Sequence, residues 1–182
     1  MGELLELIDA LPAGQLRLVG HSLGAQLGLM LVCRRPERFS RAVFLSAWVN
    51  PREKTVRGYC RLAGLTAGML HWGWLVRLQA RYWGCTPEQA EAMVRSAKQL
   101  TPEGYRAFFL NTLDLSALPE YGSLRLPMLA LCGAWETGDM RRSLALLGRN
   151  PSCKTMVLPR AGHDFPMRRA GVLNPILREF LA

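Results

Sequence analysis

Three residues of this 182-residue chain have the types and the setting to carry out acyl transfer together: Ser22, Glu136 and His163. Ser22 is the centre of Gly20-His21-Ser22-Leu23-Gly24, flanked by the apolar runs Leu16-Arg17-Leu18-Val19 and Ala25-Gln26-Leu27-Gly28-Leu29-Met30-Leu31-Val32. A serine hydroxyl is a weak nucleophile until a base takes its proton, and the reaction also needs N–H donors for an oxyanion. A sharp turn from a strand into a helix meets both needs. It lifts the hydroxyl clear of the backbone and aims the first helical N–H groups, that of Leu23 among them, at the developing charge. Glycines two residues before and two after the serine let the backbone tighten without collision. The bland alternative is a glycine-rich turn without chemistry; the strand before it and the helix after it weigh against that.

The base and the acid follow later in the chain. Residues 127–132 form an apolar run that leads into Gly133-Ala134-Trp135-Glu136, and residues 154–158 lead into Pro159-Arg160-Ala161-Gly162-His163-Asp164. An imidazole of ordinary pKa, about 6.5, can take the Ser22 proton and return it to a leaving group near neutrality. A carboxylate on the far ring nitrogen fixes the tautomer and stabilises the imidazolium. His163 fills the first role and Glu136 the second. Asp139 is the rival acid, with Glu136 then an ordinary surface residue, and a satisfied structural histidine is the rival reading of His163. The other two histidines fall elsewhere: His21 within the turn, where it faces substrate, and His71 in a helical region. Asp164 reads as a loop or capping acid, and Cys132 and Cys153 as core residues in strands.

These residues need a scaffold of alternating strands and helices. Residues 3–11 carry leucines and isoleucine at helical spacing, stopped by Pro12-Ala13-Gly14. A strand at 16–19, a helix at 23–35 closed by Pro36 and a strand at 41–47 then imply a right-handed crossover in a parallel sheet. From 50 to 121 the alternation gives way to helical pattern. One long apolar stretch covers 57–78, and two later helices open with Thr86-Pro87-Glu88 and Thr101-Pro102-Glu103, each with cap, proline and acid in order. Alternation resumes with strands at 127–132 and 154–158 and helices at about 140–147 and 173–181. In a parallel sheet, ligands gather at the carboxyl ends of the strands, where Ser22, Glu136 and His163 all fall.

Composition narrows the function classes. A chain of this length with 49% hydrophobic residues supports one domain with a sizeable core. Cys33, Cys60, Cys85, Cys132 and Cys153 are odd in number and lack a C-x-x-C pair, which argues against a disulfide framework and a zinc site. The net charge of +9 comes from arginines scattered as singles and pairs, with no basic block, so no nucleic-acid partner is expected. The longest nearly uncharged stretch, 62–76, is shorter than a membrane span. The first residues lack the basic start and apolar core of a signal peptide, and a cytoplasmic location follows as the default.

The turn at Ser22, the Gly-x-x-acid after a later strand, the Ala-Gly-His near the C-terminus and the helical segment between them resemble the α/β-hydrolase superfamily. The resemblance implies a mostly parallel sheet of about four strands, a core of residues 1–49 and 122–182, and a helical lid over about 50–121. It implies a serine hydrolase that cleaves an ester, thioester or related acyl bond of a small apolar substrate through an acyl-Ser22 intermediate, with no cofactor and no metal. Leu23 would supply an oxyanion N–H. His21, Met69, Trp72 and Trp74, with Leu65, Leu70 and Leu75 beside them, would line the substrate pocket, though each could simply pack the lid. The superfamily usually places further strands and an oxyanion-hole loop before the serine, whereas twenty-one residues precede Ser22 here. Three readings of that difference stay open: a gene model begun at an internal Met, a fragment whose partner chain completes the sheet, or a shortened protein that no longer catalyses. Without those strands, the strand at 16–19 is an apolar edge open to pairing with another chain. The competing functions are a non-catalytic binding module without a full oxyanion hole and, more weakly, an acyltransferase.

Overall fold

The computed structural model describes residues 1–12 and 16–182, so the Ala13-Gly14 portion of the expected helix stop lies outside the described residues. In chain order the elements are α1 (Gly2–Ala10), β1 (Leu16–His21), α2 (Leu23–Arg34), β2 (Phe39–Leu45), α3 (Glu53–Thr66), α4 (Gly73–Tyr82), α5 (Pro87–Gln99), α6 (Pro102–Leu110), β3 (Met128–Gly133), α7 (Gly138–Leu147), β4 (Cys153–Leu158), α8 (Phe165–Arg168) and α9 (Ala170–Leu181). The four strands form one sheet in the order β1-β2-β3-β4, every neighbouring pair parallel. The chain divides into two compact units: Met1–Asn50, Leu113–His163 and Gly171–Ala182 make the first, and Pro51–Thr112 with Asp164–Ala170 the second.

In the first unit the sheet is built around its two central strands. Ala42, Phe44, Met128, Ala130 and Cys132 point to one face, where they meet Ala25, Leu29 and Val32 of α2 and Leu144 and Leu147 of α7. Val43, Leu45, Leu129 and Leu131 alternate to the other face and are also buried. Burial on both faces is why β2 and β3 read as continuous apolar runs. α1 sets Leu4, Leu5 and Ile8 against the same core. The Ile8 carbonyl in its last turn and that of Leu11 just beyond it accept from the Arg38 guanidinium at 2.7 and 2.8 Å, which gives partners to carbonyls the helix leaves unpaired.

The second unit is helical. The apolar stretch 57–78, expected to be continuous, is instead two helices joined by a 3₁₀ turn over Ala67–His71, with Trp72 in extended conformation ahead of α4. Glycines at 68 and 73 lower the cost of that break. α5 starts on a reciprocal cap, with the Thr86 side chain accepting from the Gln89 N–H and the Gln89 side chain accepting from the Thr86 N–H. Thr101 caps α6 by a single bond, its side chain accepting from the Gly104 N–H. An Arg77–Glu91 pair at 2.6 Å links α4 to α5, and Tyr59 stacks on Phe109 between α3 and α6. The final helix starts earlier than expected, at Ala170, and runs through Pro175, which forfeits one helical hydrogen bond. Among the described residues no helix is long and apolar enough to cross a membrane.

Candidate active site

The site is assembled in the first unit at the carboxyl ends of the strands. Ser22 directly follows β1, with φ 56° and ψ −117°, a conformation that side chains rarely adopt and that costs on the order of 1–3 kcal/mol. A backbone this tight needs Gly20: a Cβ there would lie 2.4 Å from the Gly24 carbonyl oxygen and 2.7 Å from the Ala25 Cα. Gly24 is different, because a Cβ at that position meets nothing within 4 Å. The steric need expected of both glycines therefore holds for Gly20 alone.

Ser22 occupies the N-cap position of α2, yet its hydroxyl makes no capping bond. It lies 3.0 Å from His163 Nε2 instead. The other ring nitrogen, Nδ1, is 2.8 Å from Glu136 Oε2. An ionised carboxylate only accepts, so Nδ1 carries the proton and the bare Nε2 accepts from the Ser22 hydroxyl. The rival acid, Asp139, is paired with the Arg142 guanidinium. Leu23 is the first residue of α2, and the first N–H groups of a helix have no acceptor within it.

The Glu136 carboxylate is buried, with 3% of the side chain exposed, against 47% for His163. Burial alone would push its pKa up. The hydrogen bonds it accepts from His163, the Gly133 N–H and the Ser46 hydroxyl outweigh that, and hold the carboxyl below its usual range. Burial first, and then the Glu136 charge, outweigh the pull of Arg141 on the Cys132 thiol, which is pushed up to about 11 and stays protonated.

Backbone contacts fix the two loops that carry the acid and the base. The Ala134 N–H donates to the Leu158 carbonyl and the Trp135 N–H to the Ala161 carbonyl, each at 2.9 Å. Gly133 permits this approach, because a Cβ there would lie 2.2 Å from the Ala161 carbonyl oxygen. His21 Nε2 lies 3.0 Å from the His163 carbonyl oxygen and therefore donates to it. Its ring, 4.9 Å from that of His163, has a pKa lowered first by burial and then by His163, which keeps it neutral. The sequence reading gave His21 to substrate; its visible contact is with the backbone of the histidine loop.

Ser46 went unread in the sequence. It follows β2 as Ser22 follows β1, and the available signal was its position as the first residue past a buried strand. Of the other expected pocket residues, Met69 is half-buried in the 3₁₀ turn of the second unit. Trp72 and Trp74 are exposed there and stack on each other at 6.0 Å. Among the described residues no group of three or more His, Cys, Asp or Glu gathers as a metal site.

Comparison with known proteins agrees with this architecture. The family model of the Alpha/beta hydrolase family matches residues 2–175. A Caulobacter sp. (strain K31) protein, assigned by inference as a carbamate hydrolase, is 25% identical over 99% of this chain and 70% of its own length. A hydrolase from Pseudomonas aeruginosa PA01 superposes with a TM-score of 0.72 at 21% identity, over 100% of this chain and 70% of that one. The naproxen esterase from Bacillus subtilis gives the same score and identity over 98% of this chain and 64% of its own. With a family match over nearly its whole length and the same parallel sheet, the chain belongs to the alpha/beta hydrolase family.

Proposed function

We propose that this protein is a serine hydrolase that cleaves an ester, thioester or related acyl bond of a small apolar substrate through an acyl-Ser22 intermediate. The observation that carries the reading is the relay Ser22 Oγ to His163 Nε2 at 3.0 Å and His163 Nδ1 to Glu136 Oε2 at 2.8 Å. His163 takes the Ser22 proton as Oγ attacks the acyl carbon, and the Glu136 carboxylate stabilises the imidazolium. The oxyanion falls to the Leu23 N–H, with the N-terminal end of α2 behind it. The imidazolium then protonates the leaving group. Water, deprotonated by the same histidine, attacks the acyl-serine and frees Ser22.

The relatives support hydrolysis of an acyl bond: one is an esterase and another is assigned to carbamates. The family resemblance gives residues 51–112 the part of a lid, with Met69, Trp72 and Trp74 as the side chains to test for contact with substrate. Hydrolysis of an activated short-chain ester tests the proposal. Ser22→Ala is expected to abolish turnover, and a variant as fast as the parent would refute it. Ligand-dependent stabilisation of a chain without turnover would favour the binding module, and acceptor-dependent product an acyltransferase.

A further inference from the structure

Ser46 is buried, with 1% of its surface exposed, and its backbone is held at φ 50°. Only three non-glycine residues among those described have positive φ: Ser22, Ser46 and Arg160. All three lie just past strand ends. Ser22 carries the hydroxyl of the relay, and Arg160 lies in the loop that carries His163. Strained backbone of this kind persists where the surroundings over-determine it, and it concentrates at functional sites. Ser46 is one of the donors that keep Glu136 ionised.

Its surroundings specify a further role. The Ser46 N–H donates to the Leu131 carbonyl at 2.7 Å, the Ser22 N–H to the Leu45 carbonyl at 2.8 Å and the Ala134 N–H to the Leu158 carbonyl at 2.9 Å. One rung from each strand end to the next thus stitches the row that carries the site. On this row Ser46, at the end of central strand β2, stands between the Ser22 strand and the Glu136 strand. Its hydroxyl donates to Glu136 Oε1 at 2.7 Å, beside the Gly133 N–H at the same distance. With Oε1 gripped by two donors, the carboxylate cannot swing about its last bond without breaking both. Oε2 is thereby left aimed at His163 Nδ1. A left-handed backbone favours glycine, and serine in its place supplies the hydroxyl that glycine lacks.

We infer that Ser46 is a positioning residue of the acyl-transfer site, acting through Glu136 to hold the His163 imidazole in register with Ser22. The inference rests on the serine-hydrolase reading for its effect on rate, and on geometry alone for its effect on His163. A hydrogen bond to an ionised group is strong enough that its loss should slow the chemical step roughly tenfold or more.

The test compares the full-length parent with Ser46→Gly and Ser46→Ala. Both remove the hydroxyl; glycine relieves the backbone and alanine does not. Three quantities are read: the far-downfield Nδ1–H proton resonance of His163, the rate of fluorophosphonate modification resolved into saturation and maximal rate, and Tm. Both variants should lose or shift the His163 resonance and fall roughly tenfold in maximal modification rate, with the half-saturating concentration unchanged. Ser46→Gly should melt no lower than Ser46→Ala. Added to Glu136→Ala, which removes the acceptor altogether, Ser46→Gly should cost nothing further in modification rate. An unmoved His163 resonance with parental rates in either folded variant would overturn the inference, as would full additivity with Glu136→Ala. If the parent itself is never modified, the hydrolase reading fails, and the His163 resonance alone still decides for or against Ser46.

Discussion

At the scale of single residues, the site depends on a buried carboxylate that stays charged. Glu136 accepts from His163, Gly133 and Ser46, and these bonds hold its pKa below the ordinary value despite burial. Glu136→Gln keeps the shape and removes the charge, and an amide can present the wrong partner to Nδ1. Its turnover of an activated ester should fall on the order of 10⁴-fold, the scale seen for the corresponding Asp→Asn exchange in a serine protease. The depressed pKa also sets a stability window. Its contribution is fully present above the unfolded carboxyl value of about 4.3 and disappears as pH falls through the lower folded value. Thermal melts of parent and Glu136→Gln should therefore differ at neutrality and converge as pH falls through the carboxyl range. A difference that persisted undiminished below the carboxyl range would contradict the assignment.

At the scale of elements, tight turns place the side chains, and the two glycines flanking Ser22 differ in kind. Gly20→Ala drives a methyl group into the Gly24 carbonyl and the Ala25 backbone, and should leave the chain unfolded or destabilised by several kcal/mol. Gly24→Ala adds a methyl in open space within the first turn of α2, and should keep the fold and gain up to about 1 kcal/mol in denaturant melts. Equal effects at the two positions would refute this account of the turn. The strand, turn and helix around Ser22 were legible in the sequence because their signals are local. Apolar runs change period from two to 3.6 across the glycines. The division of 57–78 into α3 and α4 was not legible, since its leucines and tryptophans suit one helix or two. Ser46 was invisible for a different reason. Its partner lies ninety residues away, and only the strand order, which no local pattern encodes, brings the ends of β2 and β3 together.

At the scale of the whole molecule, the four-stranded sheet ends in β1, with Val19 46% exposed and Arg17 its only charged residue. Exposed apolar edges pair with other chains. Sedimentation should show concentration-dependent association of the pure protein, abolished by Val19→Lys, whereas a chain monomeric at every concentration would count against edge pairing. The central claim belongs to this scale too, because Ser22, Glu136 and His163 meet only when three strand ends are in register. Intact-mass spectrometry after exposure to a fluorophosphonate tests it most directly, with Ser22→Ala and His163→Ala alongside. The account predicts one adduct per chain, on Ser22, and none on either variant. A folded parent that takes up no adduct, or an adduct that persists in Ser22→Ala, would contradict it.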